Sequence, residues 1–362
     1  MSFKIPWWNV DLGQEAAEAV AEAVRGRNVS MGRLAEEFEN QMAARLEVPH
    51  VVAVTNGSMA LTAALMELGI GPGDEVIVPA MTWVATAHAA FMLGAKVVLA
   101  DIAADCPVID PEAAERAVTS RSKAIIPVHW NGRACDMDAL RKLAEARGLA
   151  LIEDAAQALF CTDSQGRRLG TMGRCGCFSL AMNKLLTSGQ GGFIATADSE
   201  VNRRLRLIRL HGVASVMLPE WDLPGSNFRY TDVLAAIGLS QLKKWRQRLE
   251  GVWRTYAIYA DNLTDSEVFR LHRPSGPGQV PVSVEAETPD PQGLTAFLKS
   301  RGIEARPMYA PLYKVPHLAQ DGPYPNADRY AGRAIFLPGG PDRSEEELML
   351  VVEALRQWTA RS

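Results

Sequence analysis

Four stretches of this sequence carry side chains suited to chemistry, and each stands at or near the end of a short apolar run. In the first, Asn56-Gly57-Ser58-Met59, a small-residue turn opens a helical pattern. Its free backbone N–H groups and the positive end of the helix dipole could hold a phosphate, with the Ser58 hydroxyl as a further donor. A plain helix cap accounts for the same residues taken alone. The second, Pro79-Ala80-Met81-Thr82-Trp83, sets an indole where a flat ligand can stack, with core packing as the alternative. The third, Glu153-Asp154-Ala155-Ala156-Gln157, follows the most apolar run of the series. A carboxylate at the end of a buried strand is costly unless a cation meets it. A protonated pyridine nitrogen would serve, and the carboxylate would keep such a ring protonated as an electron sink. A helix N-cap or a structural ion pair would also explain it. The fourth, Cys177-Phe178-Ser179-Leu180-Ala181-Met182-Asn183-Lys184, leads into Ser188-Gly189-Gln190-Gly191-Gly192. Most lysines are solvated surface charges. One beside a strand and a glycine-rich turn, downstream of Asp-x-x-Gln, fits a lysine that forms a Schiff base with a carbonyl cofactor.

Residues in those positions need a scaffold that brings strand ends together. Apolar positions at helical spacing predict helices over 14–25 and 33–46. From residue 50 the pattern alternates. Short apolar runs at 50–54, 75–78, 95–99, 124–128 and 149–152 are separated by helical patterns near 84–93, 111–118 and 136–147. Continuous apolar strands between helices predict an α/β fold with a mostly parallel central sheet covered on both faces. Gly192–Thr196 reads as another strand of that sheet, followed by a basic helix over 199–210. In such sheets ligands bind outside the carboxyl ends of the strands, where the four stretches fall. After about residue 248 strand signals thin out, and prolines and glycines at 274–278 and 289–291 punctuate the chain. The expected division is a large domain over 1–248 and a smaller C-terminal α+β domain over 249–362, closed by a helix near 344–359.

Composition narrows the possibilities. The chain has 362 residues, 48% of them hydrophobic, and a net charge of −4 from interspersed charges, so no basic arm for nucleic acid is expected. The first residues lack the apolar stretch of a secretory signal, and no run is long enough to span a bilayer, so a cytoplasmic protein is expected. Five cysteines, Cys106, Cys135, Cys161, Cys175 and Cys177, show no paired spacing, so neither a disulfide framework nor a metal site is expected. There is no G-x-G-x-x-G after a strand, no P-loop and no H-E-x-x-H. His129 and His211 have no partners at metal-ligand spacing and are expected to be structural or near a substrate.

Taken together and in order, these stretches resemble the DegT/StrS family of sugar aminotransferases. The markers are Thr55-Asn-Gly-Ser-Met-Ala-Leu61, Gly71-Pro-Gly-Asp-Glu-Val-Ile77, Thr82-Trp-Val-Ala-Thr86, Glu153-Asp-Ala-Ala-Gln157, Phe178-Ser179 with Asn183-Lys184, Gly189-Gln-Gly-Gly192, Asn227-Phe-Arg-Tyr-Thr-Asp232 and Leu337-Pro338. The resemblance runs from about Pro6 to Trp358 and implies the fold-type I architecture of aspartate aminotransferase, with pyridoxal 5'-phosphate as cofactor and pyridoxamine 5'-phosphate between half-reactions. It implies catalytic roles for Lys184, which bonds the cofactor, and for Asp154, which pairs with its pyridine nitrogen. Trp83 would stack on the ring, Gln157 would lie near the ring hydroxyl, and Gly57, Ser58 and Ser179 would hold the phosphate. Asn227 would reach the cofactor phosphate of a neighbouring subunit, which implies a homodimer with shared active sites.

Within the family, Asn183-Lys184 and Gly302-Ile-Glu-Ala-Arg-Pro307 look most like the perosamine-synthase type. That resemblance implies transfer of an amino group from L-glutamate to C4 of a nucleotide-linked 4-keto-6-deoxy sugar. Gln190 stands where a glutamate is usual, and Leu180-Ala181-Met182 and Val128-His-Trp-Asn-Gly132 depart from the usual pattern. A 3-keto sugar or keto-cyclitol acceptor of an antibiotic pathway therefore stays open, as does a non-catalytic regulatory relative. The family's dehydratases carry histidine at the lysine position, so Lys184 argues against that chemistry.

Overall fold

The computed structural model of the protein describes residues 3–215, 217, 220–221, 223–274 and 276–360. Its centre is a seven-stranded sheet built from β1 (His50–Val54), β2 (Glu75–Pro79), β3 (Lys96–Ala100), β4 (Ser122–Ile125), β5 (Ala150–Asp154), β6 (Cys175–Ser179) and β7 (Gly192–Thr196), in the order β1-β7-β6-β5-β4-β2-β3. The five apolar runs and Gly192–Thr196 correspond to six of these strands, β4 beginning and ending earlier than the run at 124–128, whereas β6 is not among the runs read from the sequence. Val76, Ile77, Val78, Ile125 and Ile152 are fully buried, as expected where helices cover both faces.

The strands from β6 to β3 are parallel to their neighbours. The expected strand Gly192–Thr196 is present, but it runs antiparallel to both β6 and β1. Residues 180–191 between β6 and β7 form no crossover helix, so the chain turns back beside the strand it has left. All strands except β7 therefore share one direction. The carboxyl ends of β1, β2, β5 and β6 and the amino end of β7 meet on one edge of the sheet.

The helix Gly57–Glu67 is apolar nearly all round, and Ala60, Leu61, Ala63, Ala64 and Leu65 are all buried beneath that edge. A second, antiparallel sheet follows in the order β10-β11-β9-β8, formed by β8 (Arg270–Leu271), β9 (Glu285–Glu287), β10 (Arg306–Pro307) and β11 (Ala334–Phe336). The long helix Trp245–Asn262 passes unbroken across the division expected at residue 248. The first residues of the chain pack on this later part. Ile5 bridges to Ile303, and Trp8 bridges to Gly339.

Two polar seams fix the second sheet against the first. Glu285, on β9, accepts hydrogen bonds from Trp130 Nε1 at 2.8 Å, Arg133 Nη1 at 2.7 Å and the Tyr330 hydroxyl at 3.0 Å. Asn131 donates through Nδ2 to the Ser283 carbonyl and accepts from the Ser283 N–H, both at 2.7 Å. Gly132 between them has φ of 78°, and a Cβ there would stand 2.3 Å from the Val280 carbonyl. The unusual Val128–Gly132 segment is thus the joint that sets the facing wall of the site.

Candidate active site

A cavity of about 750 Å³ opens between the strand edge and the second sheet. Gly57, Ser58, Trp83, Asp154, Gln157, Ser179 and Lys184 all line it, which brings seven of the eight expected residues together. Asn227 does not line this cavity. It is exposed, bridges to Leu210 and takes hydrogen bonds from Arg229, with Nε at 2.8 Å.

At one end Asn56 caps the helix Gly57–Glu67, its side chain accepting from the Met59 N–H at 2.9 Å. The cap reading was therefore correct, and the phosphate reading coexists with it, because one cap leaves other first-turn N–H groups pointing outward. Three small residues crowd this turn. A Cβ on Gly57 would meet the Ser179 Cβ at 2.8 Å, and one on Gly192 would stand 2.5 Å from the Asn56 carbonyl carbon. With Ser58 and Ser179 supplying hydroxyls, this is a cradle that an anion such as a phosphate fits.

Asp154 ends β5 and is almost fully buried. Thr86 donates its hydroxyl to Oδ2 at 2.8 Å, the Ala156 N–H donates to Oδ1 at 3.1 Å, and Thr82 lies 3.0 Å from the Thr86 hydroxyl. Burial pushes the Asp154 carboxyl up from its ordinary value, against the pull of Thr86, Ala156, Lys184 and His129. A buried carboxylate aimed into a cavity is poised for a cationic ligand atom, which a pyridinium supplies. Lys184 sits in the turn after β6, its N–H bonded to the Ala181 carbonyl at 3.1 Å. Burial lowers its amine below the ordinary lysine range, with Asp154 opposing. A lowered amine is more often neutral, as a nucleophile or base requires.

Glu153 and Asp154 are neighbours on one strand, so they point to opposite faces. Glu153 turns away from the cavity and accepts from His129 Nε2 at 2.8 Å and from the N–H groups of Gly170, Met172 and Gly173. The Cys135 N–H lies 3.2 Å from His129 Nδ1, so both ring nitrogens are engaged inside the fold, away from the cavity, and His129 reads as structural. Gln157 accepts from the Asn131 N–H at 2.9 Å, so its orientation is set by the inter-sheet joint.

Several lining residues escaped the sequence reading as site residues: Thr82, Asn183 and Arg306, all inside quoted motifs, and Trp7 and Tyr309; Thr86, which stands behind Asp154 without lining the cavity, escaped it too. The Trp83 ring is 58% exposed in the cavity and lies edge-on to Tyr309 with centroids 5.5 Å apart. Tyr309 in turn packs on Trp130 at 5.6 Å. Tyr309 follows β10 in a stretch with no strand or helix periodicity, so nothing local pointed to it. Among the described residues no group of three or more His, Cys, Asp or Glu side chains is placed to hold a metal ion, and no helix is long and apolar enough to cross a membrane.

A sheet of this order, with a lysine and a strand-end carboxylate in one cavity, defines a pyridoxal-phosphate enzyme of fold type I. The chain belongs to the DegT/DnrJ/EryC1/StrS aminotransferase family, which it matches over residues 10–356. It is 34% identical to the GDP-perosamine synthase of Caulobacter vibrioides over 91% of each chain. It is also 34% identical to the dTDP-3-amino-3,4,6-trideoxy-alpha-D-glucose transaminase of Streptomyces venezuelae, over 99% of this chain and 97% of that one. The crystal structure of S. venezuelae DesV in complex with a ketimine intermediate superimposes with a TM-score of 0.91, at 33% identity over 99% of both chains. The protein is a sugar aminotransferase whose cofactor is pyridoxal 5'-phosphate.

Proposed function

We propose that this enzyme moves the amino group of L-glutamate to a keto carbon of a nucleotide-linked sugar, most specifically C4 of a 4-keto-6-deoxyhexose. The observation that carries the reading is the presence of Lys184 and Asp154 in one cavity beside the Gly57–Ser58–Ser179 cradle. Lys184 would hold the cofactor, Asp154 would meet its ring nitrogen, Trp83 would stack on its ring, Gln157 would serve its hydroxyl, and the cradle would take its phosphate. Bound there, the cofactor supplies the electron sink that makes amino-group transfer possible. Lys184, tethered in the cavity with its amine lowered by burial, would take the proton from the amino-bearing carbon of the donor and deliver one to the keto carbon of the acceptor. The C4 position is supported by the likeness to GDP-perosamine synthases. A 3-keto acceptor is the second reading, favoured by equal identity to the dTDP-3-amino sugar transaminase. Asn227, exposed and outside its own cavity, supports a homodimer in which it serves the partner's site.

The test is the visible absorbance of purified protein with pyridoxal 5'-phosphate, read before and after L-glutamate. A band that bleaches with glutamate and returns with a GDP- or dTDP-4-keto-6-deoxy sugar supports the C4 reading. Return with a 3-keto sugar alone selects the second reading, and no band at all overturns the assignment of Lys184.

A further inference from the structure

Both substrates of the proposed reaction are anions. L-Glutamate brings two carboxylates, and a nucleotide-linked sugar brings a diphosphate. Among the described residues lining the cavity, the cations are Lys184, committed to the cofactor, and Arg306. The only carboxylate lining it is Asp154, tied at the floor by Thr86.

Arg306 is a held cation and not a loose surface one. Glu304 Oε1 accepts from Arg306 Nε at 3.0 Å and from Nη2 at 2.7 Å, while Glu304 Oε2 accepts from the Trp7 N–H at 2.9 Å. The guanidinium lies 4.4 Å above the centre of the Trp7 ring, and Trp7 itself lines the cavity. One edge of the guanidinium fork is thus fixed on Glu304, its face rests on an indole, and the side chain stays 53% exposed. The remaining N–H groups are the kind that pair in forked fashion with a carboxylate or a phosphate.

We propose that Arg306 is the anion anchor for both half-reactions, pairing in turn with a carboxylate of the amino donor and with the diphosphate of the sugar nucleotide. The inference rests on the transaminase reading above and adds a specificity-determining residue to it. One cation serving two anions by turns makes the two substrates mutually exclusive at that point, as a two-stage cycle in one cavity requires.

The experiment uses the holoenzyme of the wild type, Arg306→Met and Arg306→Lys. Glutamate dependence is read from the rate at which the visible band is lost, and binding of GDP and dTDP alone is read by calorimetry. Loss of a charge-assisted pair predicts that Arg306→Met raises half-saturating glutamate by about 10- to 100-fold at an unchanged limiting rate, and weakens nucleoside diphosphate binding by a similar factor. Arg306→Lys recovers part of both, and in the wild type the nucleoside diphosphate competes with glutamate. Thermal unfolding of the variants stays at the wild-type value, because the side chain is half-exposed. A responding wild type with constants unchanged in Arg306→Met, or changed for only one ligand, overturns the shared anchor alone. A wild type that never responds to glutamate overturns the transaminase reading as well.

Discussion

The Thr86 hydroxyl donates to Asp154 across 2.8 Å, linking a helix that follows β2 to the carboxylate that ends β5. Thr82 continues the chain at 3.0 Å. Burial disfavours the charged form of Asp154, so this donor helps keep the carboxylate ionised for a cationic ring. Thr86→Val removes the hydroxyl and keeps the volume. It is expected to weaken cofactor affinity by about 10-fold, the loss of one charge-assisted hydrogen bond. Titration of the apoenzyme with pyridoxal 5'-phosphate, followed by visible absorbance, measures this; an unchanged dissociation constant would remove Thr86 from the site.

Lys184 is the proton carrier of the proposed cycle, and general acid–base catalysis by a positioned group contributes about 10²- to 10⁴-fold. Lys184→Ala is expected to lose at least that factor in the single-turnover rate with glutamate. Because burial lowers the amine below its ordinary value, the working neutral form appears as pH rises through that lowered value. The wild-type rate should therefore climb with pH and level off below the ordinary lysine range. A rate that falls over that interval would show that the protonated amine is the working form.

How much of this was legible in the sequence depended on whether a residue's position carries its own free-energy signature. Buried parallel strands are near-continuous apolar runs, so the sheet could be read, and Asp154 stood out because charge at such a strand's end demands a partner. The reversal of β7 was not legible: Gly-Phe-Ile-Ala-Thr is equally apolar in either direction, and only the connection over 180–191 decides. The second sheet was hidden because β8 and β10 are two residues long, too short to show alternation. The cavity wall formed by Trp7 was hidden for another reason. Its N–H bonds to Glu304, 297 positions away, and no local pattern reports such a contact.

The joint at Glu285 should be energetically heavy. Its carboxylate and the Arg133 guanidinium are almost wholly buried and 2.7 Å apart. Removing one member of a buried pair leaves an uncompensated charge, which costs about 3 to 5 kcal/mol. Glu285→Gln is expected to lower unfolding free energy by about that amount, with an unchanged denaturant slope, whereas adding Arg133→Met to Glu285→Gln recovers much of the loss, because it removes the stranded cation while the amide still pairs with Trp130 and Tyr330. If the single and double variants were equally unstable, packing and not charge would be what Glu285 provides.

The last prediction concerns pH and a contact outside the cavity. His88 Nε2 and His317 Nε2 are 2.8 Å apart, so one ring donates and the other accepts. The pair joins the helix Ala85–Phe91, which carries Thr86, to the segment that follows Tyr309. Burial, then the neighbouring His317, lowers the His88 pKa below the ordinary value of 6.5. Between the lowered value and 6.5 the unfolded chain binds a proton that the folded chain refuses. The contact's contribution is therefore complete above that interval and is lost as pH falls through it. His317→Gln keeps a hydrogen-bonding partner and removes the charge that adds to the shift, so its unfolding midpoint should fall less steeply on acidification than that of the wild type. Thermal unfolding at about pH 7.5 and about pH 5 measures both; parallel losses in the two proteins would place the acid sensitivity elsewhere in the fold.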